Sequence, residues 1–256
     1  MTQSPRLPKS LLDLPIAHRA YHDRAAGRPE NSRAAISAAV QAGYAIEIDL
    51  QPSADGVPMV FHDYELDRLT HERGPLNTRM AAELSGILLK DATEGIPTLA
   101  EVLQIVAGKV PLLIEIKDQS LAMGPLDGAL ERATAEVLRD YQGDYALMSF
   151  NPHSVALMAE LLPDIPRGIT TGSYDPVTWK GDAPPEVADR LREIPDIAAT
   201  GASFISHEWR DLHRPRVAEL KAQGIDILSW TIRTPEEEAT ARQIAANVTF
   251  EGYPAA

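Results

Sequence analysis

The chain has 256 residues, 44% of them hydrophobic, and carries 24 basic against 37 acidic side chains for a net charge of −13. That length suits one large α/β domain or two small ones and can fill a sizeable core; the negative balance argues against unaided binding to nucleic acid or an anionic membrane. Cysteine is absent, which excludes disulfides and thiolate metal sites, so any metal must be held by oxygen or imidazole.

Residues 1–14 contain Pro5 and Pro8 and only a few apolar side chains, Leu11, Leu12 and Leu14 among them, too few for the apolar region of a signal peptide. No apolar run approaches the roughly 18 residues of a membrane span, and the expectation is a soluble cytoplasmic protein. A short apolar strand over 14–18 ends in His18-Arg19, followed by a loop rich in Gly, Arg and His. Asn31-Ser32 offers an N-cap for an amphipathic helix over 33–42, closed by Gly43. The segment 45–50, Ala-Ile-Glu-Ile-Asp-Leu, reads as a buried strand interrupted twice by acid. In a strand alternate side chains share a face, so Glu47 and Asp49 point the same way. Left dry and unpaired they would cost many kcal/mol, which calls for a cation, a basic partner or a raised pKa.

The apolar run 57–63 follows after Asp55-Gly56, too soon for a parallel crossover, and is expected to be the return arm of a hairpin. That arm carries His62 back beside Asp49 and Glu47, in a register set by the turn. Residues 64–95 form a mostly polar insertion with one helical patch over 78–89. Thr98 and Glu101 make a capping box for a helix to Ala107, and strand 110–117 sets Leu113, Glu115 and Lys117 on one face. Helices over 126–140, 152–162, 185–193, 214–223 and 235–246 then alternate with strands over 145–149, 166–170, 202–206, 226–231 and 247–250. A loop containing Gly, Pro and Trp spans 171–183. With the hairpin arm set aside, eight strands are joined by helices, the count of a (β/α)8 TIM barrel, and the whole chain is expected to form one such domain. Six residues after Phe250 cannot make a final helix, so the barrel either lacks it or fills the gap with residues 7–12. A doubly wound open sheet is the alternative, but no Gly-rich phosphate loop follows the first strand.

In such a barrel functional groups sit at the C-terminal ends of strands. His18, Glu47, Asp49, Glu115 and Lys117 occupy such ends, and the hairpin brings His62 to the same rim. Any one of these acids could be a salt-bridged wall residue, Glu115 with Lys117 for instance. Three carboxylates converging on one mouth are instead the oxygen-rich environment that Mg²⁺ or Ca²⁺ prefers. Two imidazoles beside them suit general acid and base, and Arg19 and Lys117 suit an anionic substrate carrying phosphate. Trp230, at the end of a later strand, either lines the pocket or packs. His207-Glu208 lacks the second histidine of a metalloprotease motif, Asp211 standing in its place.

His18-Arg19, Pro29-Glu30-Asn31, Glu47-Ile48-Asp49, Asp55-Gly56, His62-Asp63 with Leu66 and Arg68, Ile96-Pro97-Thr98-Leu99 and Glu115-Ile116-Lys117 occur in that order. This series resembles the ordered signature of the glycerophosphodiester phosphodiesterase family, and Trp230-Thr231 resembles a further position. The resemblance implies a phospholipase-C-like TIM barrel that hydrolyses glycerophosphodiesters to sn-glycerol 3-phosphate and an alcohol with a divalent cation, usually Ca²⁺ or Mg²⁺. It implies Glu47, Asp49 and Glu115 as metal ligands, His18 and His62 as the acid/base pair, and Arg19 and Lys117 as phosphate-binding residues. Two positions depart from the family pattern: Ala20 stands where a Gly is usual after His-Arg, and Thr249-Phe250-Glu251-Gly252-Tyr253-Pro254 replaces a Thr-Asp-x-Pro ending. A non-catalytic phosphoglycerol-binding barrel, a metal-dependent sugar-processing barrel, or hydrolysis of another diester such as a lysophospholipid are the alternatives.

Overall fold

Short apolar strands that alternate with amphipathic helices bury both faces either as an open doubly wound sheet or as a closed ring, and here the ring closes. The computed structural model describes residues 5–175 and 183–256; residues 176–182, inside the loop expected over 171–183, lie outside the described residues. Nine strands occur among the described residues: β1 (Ile16–Ala17), β2 (Ala45–Pro52), β3 (Pro58–Val60), β4 (Leu112–Ile116), β5 (Tyr145–Ser149), β6 (Arg167–Thr171), β7 (Phe204–Glu208), β8 (Asp226–Ile232) and β9 (Asn247–Phe250). All but β3 run parallel, and β1 pairs with both β2 and β9, which closes the (β/α)8 barrel. The helices are α1 (Lys9–Asp13), α2 (Arg33–Ala42), α3 (Ala81–Gly86), α4 (Leu99–Val106), α5 (Ala129–Leu138), α6 (Pro152–Leu161), α7 (Pro185–Arg192), α8 (Ile197–Thr200), α9 (Pro215–Ala222) and α10 (Pro235–Ala241). None is long and apolar enough to cross a membrane.

Alternation decides what each side of the wall holds. Ile46, Ile48 and Leu50 face outward and pack with Ile36, Val102 and Leu112, all fully buried. Ile16, Ala45, Leu113, Ala146, Phe204 and Leu228 form a second cluster in the barrel interior with Leu7 and Leu11. Asn247 donates from Nδ2 to the carbonyls of Leu11 and Leu14, at 2.8 and 2.7 Å, and so pins α1 across the N-terminal end of the barrel. Residues 7–12 therefore close the floor and do not replace the missing final helix. That slot is taken by the C-terminal tail: the Tyr253 ring sits 5.5 Å from Phe250, and Tyr44 donates to the Ala255 carbonyl at 3.1 Å. Helix α10 stops at Ala241, short of the expected 246: Gln243 and Ile244 N–H turn to carbonyls three residues back, and Ala246 N–H donates to Ile227 O in the neighbouring strand, at 2.7 Å.

The hairpin forms as expected, with Leu50 opposite Val60. Strand β1 covers only Ala45 and Ile46, which leaves the upper edge of β2 open for β3. Beyond it, residues 64–95 gather their own apolar cluster from Leu66, Leu69, Leu76, Leu84 and Leu89 with Phe61 and Ile96. Helix α3 is shorter than the patch over 78–89 because Leu88 and Leu89 leave it to bridge Gly95 and Thr70.

Gly168 in β6 faces the interior, where a Cβ would fall 2.3 Å from the Phe204 ring. Phe204 is fully buried and has nowhere to move. Gly168→Ala is expected to lower stability by about 1–3 kcal/mol, read as a lower urea midpoint at unchanged slope; an unchanged midpoint would contradict this packing.

Candidate active site

Strands β2 and β4 are neighbours in a register that sets Asp49 beside Glu115. Glu47, Asp49 and Glu115 thus face the same interior at the C-terminal end, all buried, with one oxygen of each within 4.8 Å of the others. Lys117, two residues on from Glu115, returns its Nζ to Glu115 Oε1 at 2.5 Å and to Asp49 Oδ1 at 2.7 Å. Burial alone would lower the Lys117 pKa, but Asp49 and Glu115 hold it above its ordinary value. Burial likewise opposes ionisation of Asp49, and Lys117, His62 and Arg19 outweigh it and keep this carboxyl well below the usual range. Glu47 goes the other way: burial and the charges of Asp49 and Glu115 push it well above the usual carboxylate range. One ammonium therefore does not neutralise the cluster. A hard divalent cation fits this donor set of three convergent carboxylates, and Glu47, Asp49 and Glu115 are the side chains that would hold it.

The backbone at the end of β1 serves Glu47. Arg19 and Ala20 both have left-handed φ, +51° and +66°, and their N–H groups donate to Glu47, from Arg19 to Oε2 at 2.8 Å and from Ala20 to the carbonyl at 3.0 Å. A left-handed residue bearing a Cβ costs roughly 1–2 kcal/mol, a strain that glycine at position 20 would avoid. Ser32 caps α2 by accepting from Ala35 N, which leaves Asn31 free to donate from Nδ2 to Asp49 Oδ2 at 2.9 Å.

Each histidine is backed by a carboxylate. His18 Nδ1 lies 2.5 Å from Glu251 Oε2, and Glu251 also takes Arg233 Nη2 at 2.7 Å. Burial, reinforced by the charge of Arg19 and opposed by Glu251, lowers the His18 pKa to about 4. The imidazole is therefore neutral at pH 7, with Nδ1–H donating to Glu251 and Nε2 bare as an acceptor. His62 Nδ1 lies 2.7 Å from Asp63 Oδ1. Arg19 donates from Nη1 to Glu30 at 2.7 Å, and its Nε stands 3.7 Å from Asp49.

These groups surround a cavity of about 200 Å³ lined by His18, Arg19, Glu47, Asp49, His62, Glu115, Lys117 and Trp230, together with Phe150 and Arg233. Every site residue expected from the sequence is thus at one mouth. Trp230 both lines the cavity and packs: its Nε1 donates to Ser206 O at 2.9 Å, and its ring meets Phe150 edge-on at 5.7 Å. His207 is instead fully buried away from the cavity lining, with Nδ1 2.8 Å from Thr171 Oγ1. Sequence reasoning gave no role to Glu251 and Arg233, which carry no local signal: Glu251 meets His18 from the far end of the chain, and Arg233 meets Glu251. Asn31 and Asp63 stood within quoted motifs, but nothing in their spacing said which side chain they would hold.

The model of the glycerophosphoryl diester phosphodiesterase family matches residues 18–249. A glycerophosphodiester phosphodiesterase of Caldanaerobacter subterraneus is 32% identical over 246 residues, 92% of this chain and 91% of that protein. Bovine glycerophosphodiester phosphodiesterase 1 is 24% identical over 88% of this chain and 73% of its own length. Among solved structures, an Oleispira antarctica phosphodiesterase in complex with the product sn-glycerol-3-phosphate is similar with a TM-score of 0.74, 25% identity and 96% of each chain covered. The Thermotoga maritima glycerophosphodiester phosphodiesterase shares the fold with a TM-score of 0.69, covering 93% of this chain and 94% of that one at 21% identity. With its ordered motifs gathered at one barrel mouth and a family match over most of its length, the chain belongs to the glycerophosphoryl diester phosphodiesterase family.

Proposed function

We propose that the chain hydrolyses glycerophosphodiesters to sn-glycerol 3-phosphate and an alcohol, with a divalent cation, Ca²⁺ or Mg²⁺, at Glu47, Asp49 and Glu115. The observation that carries this reading is the meeting of two carboxylate-backed imidazoles with three buried carboxylates around one cavity. The Oleispira relative, similar over nearly the whole chain, was solved with sn-glycerol-3-phosphate, which supports the same substrate class here.

The chain's own residues divide the work as follows. His18, neutral and with Nε2 open, takes the proton from the attacking oxygen. His62, more exposed and held through Nδ1 by Asp63, gives a proton to the departing alkoxide. Arg19 and Lys117 supply positive charge to the phosphate, and the Phe150–Trp230 pair walls the cavity. The bound cation would add Lewis-acid stabilisation of the phosphate oxygens. A site that only bound phosphoglycerol would need neither imidazole.

EDTA is expected to abolish hydrolysis of glycerophosphocholine and added Ca²⁺ or Mg²⁺ to restore it; activity indifferent to chelation would sink the metal role. His18→Ala and His62→Ala should each lower kcat by about 10²–10⁴-fold without changing the melting temperature appreciably. Because the base must be unprotonated and burial brings His18 to about 4, kcat/KM should stay level as pH falls through the ordinary 6.5 and decline only toward pH 4. A limb at 6.5 would speak against His18 as base. Lys117→Met strips the buried cluster of its ammonium and should cost about 3–5 kcal/mol in chelator, part of it recovered with divalent cation. Equal loss with and without the cation in thermal melts would contradict a shared charge-balancing role.

A further inference from the structure

The insertion over residues 64–95 contributes nothing to the described lining of the cavity, yet one of its side chains reaches the residues behind it. Arg68 donates from Nε and Nη2 to the two oxygens of Asp63, at 2.6 and 2.8 Å. The same guanidinium donates from Nη1 and Nη2 to the two oxygens of Glu30, both at 2.8 Å. Asp63 holds His62 through Nδ1 at 2.7 Å, and Glu30 holds Arg19 through Nη1 at 2.7 Å. A single planar fork thus joins the carboxylate behind an imidazole to the carboxylate behind a phosphate-facing guanidinium, a bridge that a lysine's point charge cannot reproduce.

The segment that presents Arg68 is itself fixed. Leu66 and Leu69 flank it in the insertion's apolar cluster, and Lys90 Nζ donates to the Arg68 and Asp67 carbonyls at 3.0 and 2.7 Å. The Arg68 side chain is 46% exposed, and exposed ion pairs contribute little to global stability. Its four well-directed hydrogen bonds reach two carboxylates that each hold a cavity-lining side chain, and so fix those side chains relative to one another. We infer that Arg68 is a positioning residue that sets the His62 imidazole and the Arg19 guanidinium relative to one another, and that this is what the insertion does for the reaction. The inference rests on the reading of the cavity as a diesterase site.

Arg68→Ala, Asp63→Asn and Glu30→Gln are to be compared with the unaltered protein in metal-supplemented turnover of a glycerophosphodiester, with urea unfolding alongside. Asp63→Asn is expected to act chiefly on kcat through His62, and Glu30→Gln chiefly on KM through Arg19. Arg68→Ala should move both, lowering kcat/KM by about 10- to 100-fold with the urea midpoint nearly unchanged. Unchanged kcat and KM in Arg68→Ala would overturn the inference, as would a fall in kcat alone that tracks loss of folded protein. If the unaltered protein cleaves no diester, the functional reading fails, and the positioning role is then decided by nitrogen-15 NMR of the His62 ring. Loss of a protected Nδ1–H signal in Arg68→Ala supports it, and an unchanged signal overturns it.

Discussion

Three carboxylates buried on adjacent strands, with oxygens within 4.8 Å of one another, are the constraint around which this barrel mouth is built. Almost wholly withdrawn from water, they are met by four protein groups: the Lys117 ammonium, the Arg19 guanidinium, the Asn31 amide and the backbone N–H of Arg19. Several local oddities follow from that demand. Two consecutive residues with a Cβ adopt left-handed backbone so that their N–H groups reach Glu47. The N-cap of α2 falls on Ser32 rather than Asn31, which frees the amide for Asp49. Even so Glu47 is driven toward its protonated form by burial and by the charges of Asp49 and Glu115.

Around this centre the two histidines are held alike but buried unequally. Each presents Nδ1 to a carboxylate, and each carboxylate is held from behind by an arginine, Arg233 for Glu251 and Arg68 for Asp63. The His18 side chain is 14% exposed and that of His62 31%. Burial pushes His18 to its neutral form against the pull of Glu251.

The barrel and most of its site were legible in the sequence because their signals are local. Period-two alternation exposed Glu47 and Asp49 as a buried acidic pair, Glu115 and Lys117 repeated the phase, and a turn too short for a crossover delivered His62. What stayed hidden depends on closure of the ring. Glu251 lies 233 residues from His18 and meets it only because β9 pairs with β1. The same closure decided where the two ends of the chain went: apolar Leu7 and Leu11 announced burial but not whether in the floor or in the outer layer. The insertion's helix was overestimated because periodicity cannot foresee that Leu88 and Leu89 would be drawn into bridges with Gly95 and Thr70.

The charge of the molecule adds a last step. At −13 overall the protein repels a diester anion at long range, though salt screens that repulsion over roughly 8 Å at physiological ionic strength. At short range the described cavity lining counts three carboxylates, Glu47, Asp49 and Glu115, against three permanent cations, Arg19, Lys117 and Arg233. Glu251 stands directly behind Arg233 and tips the balance to negative when all are ionised, while Glu30 behind Arg19 is itself paired with Arg68. A phosphodiester brings one more negative charge, so these residues alone do not form an attractive seat for it. Two added positive charges at the carboxylate cluster reverse that balance. A divalent cation held as proposed at Glu47, Asp49 and Glu115 would thus favour phosphate binding by charge as well as by the geometry of the ligands.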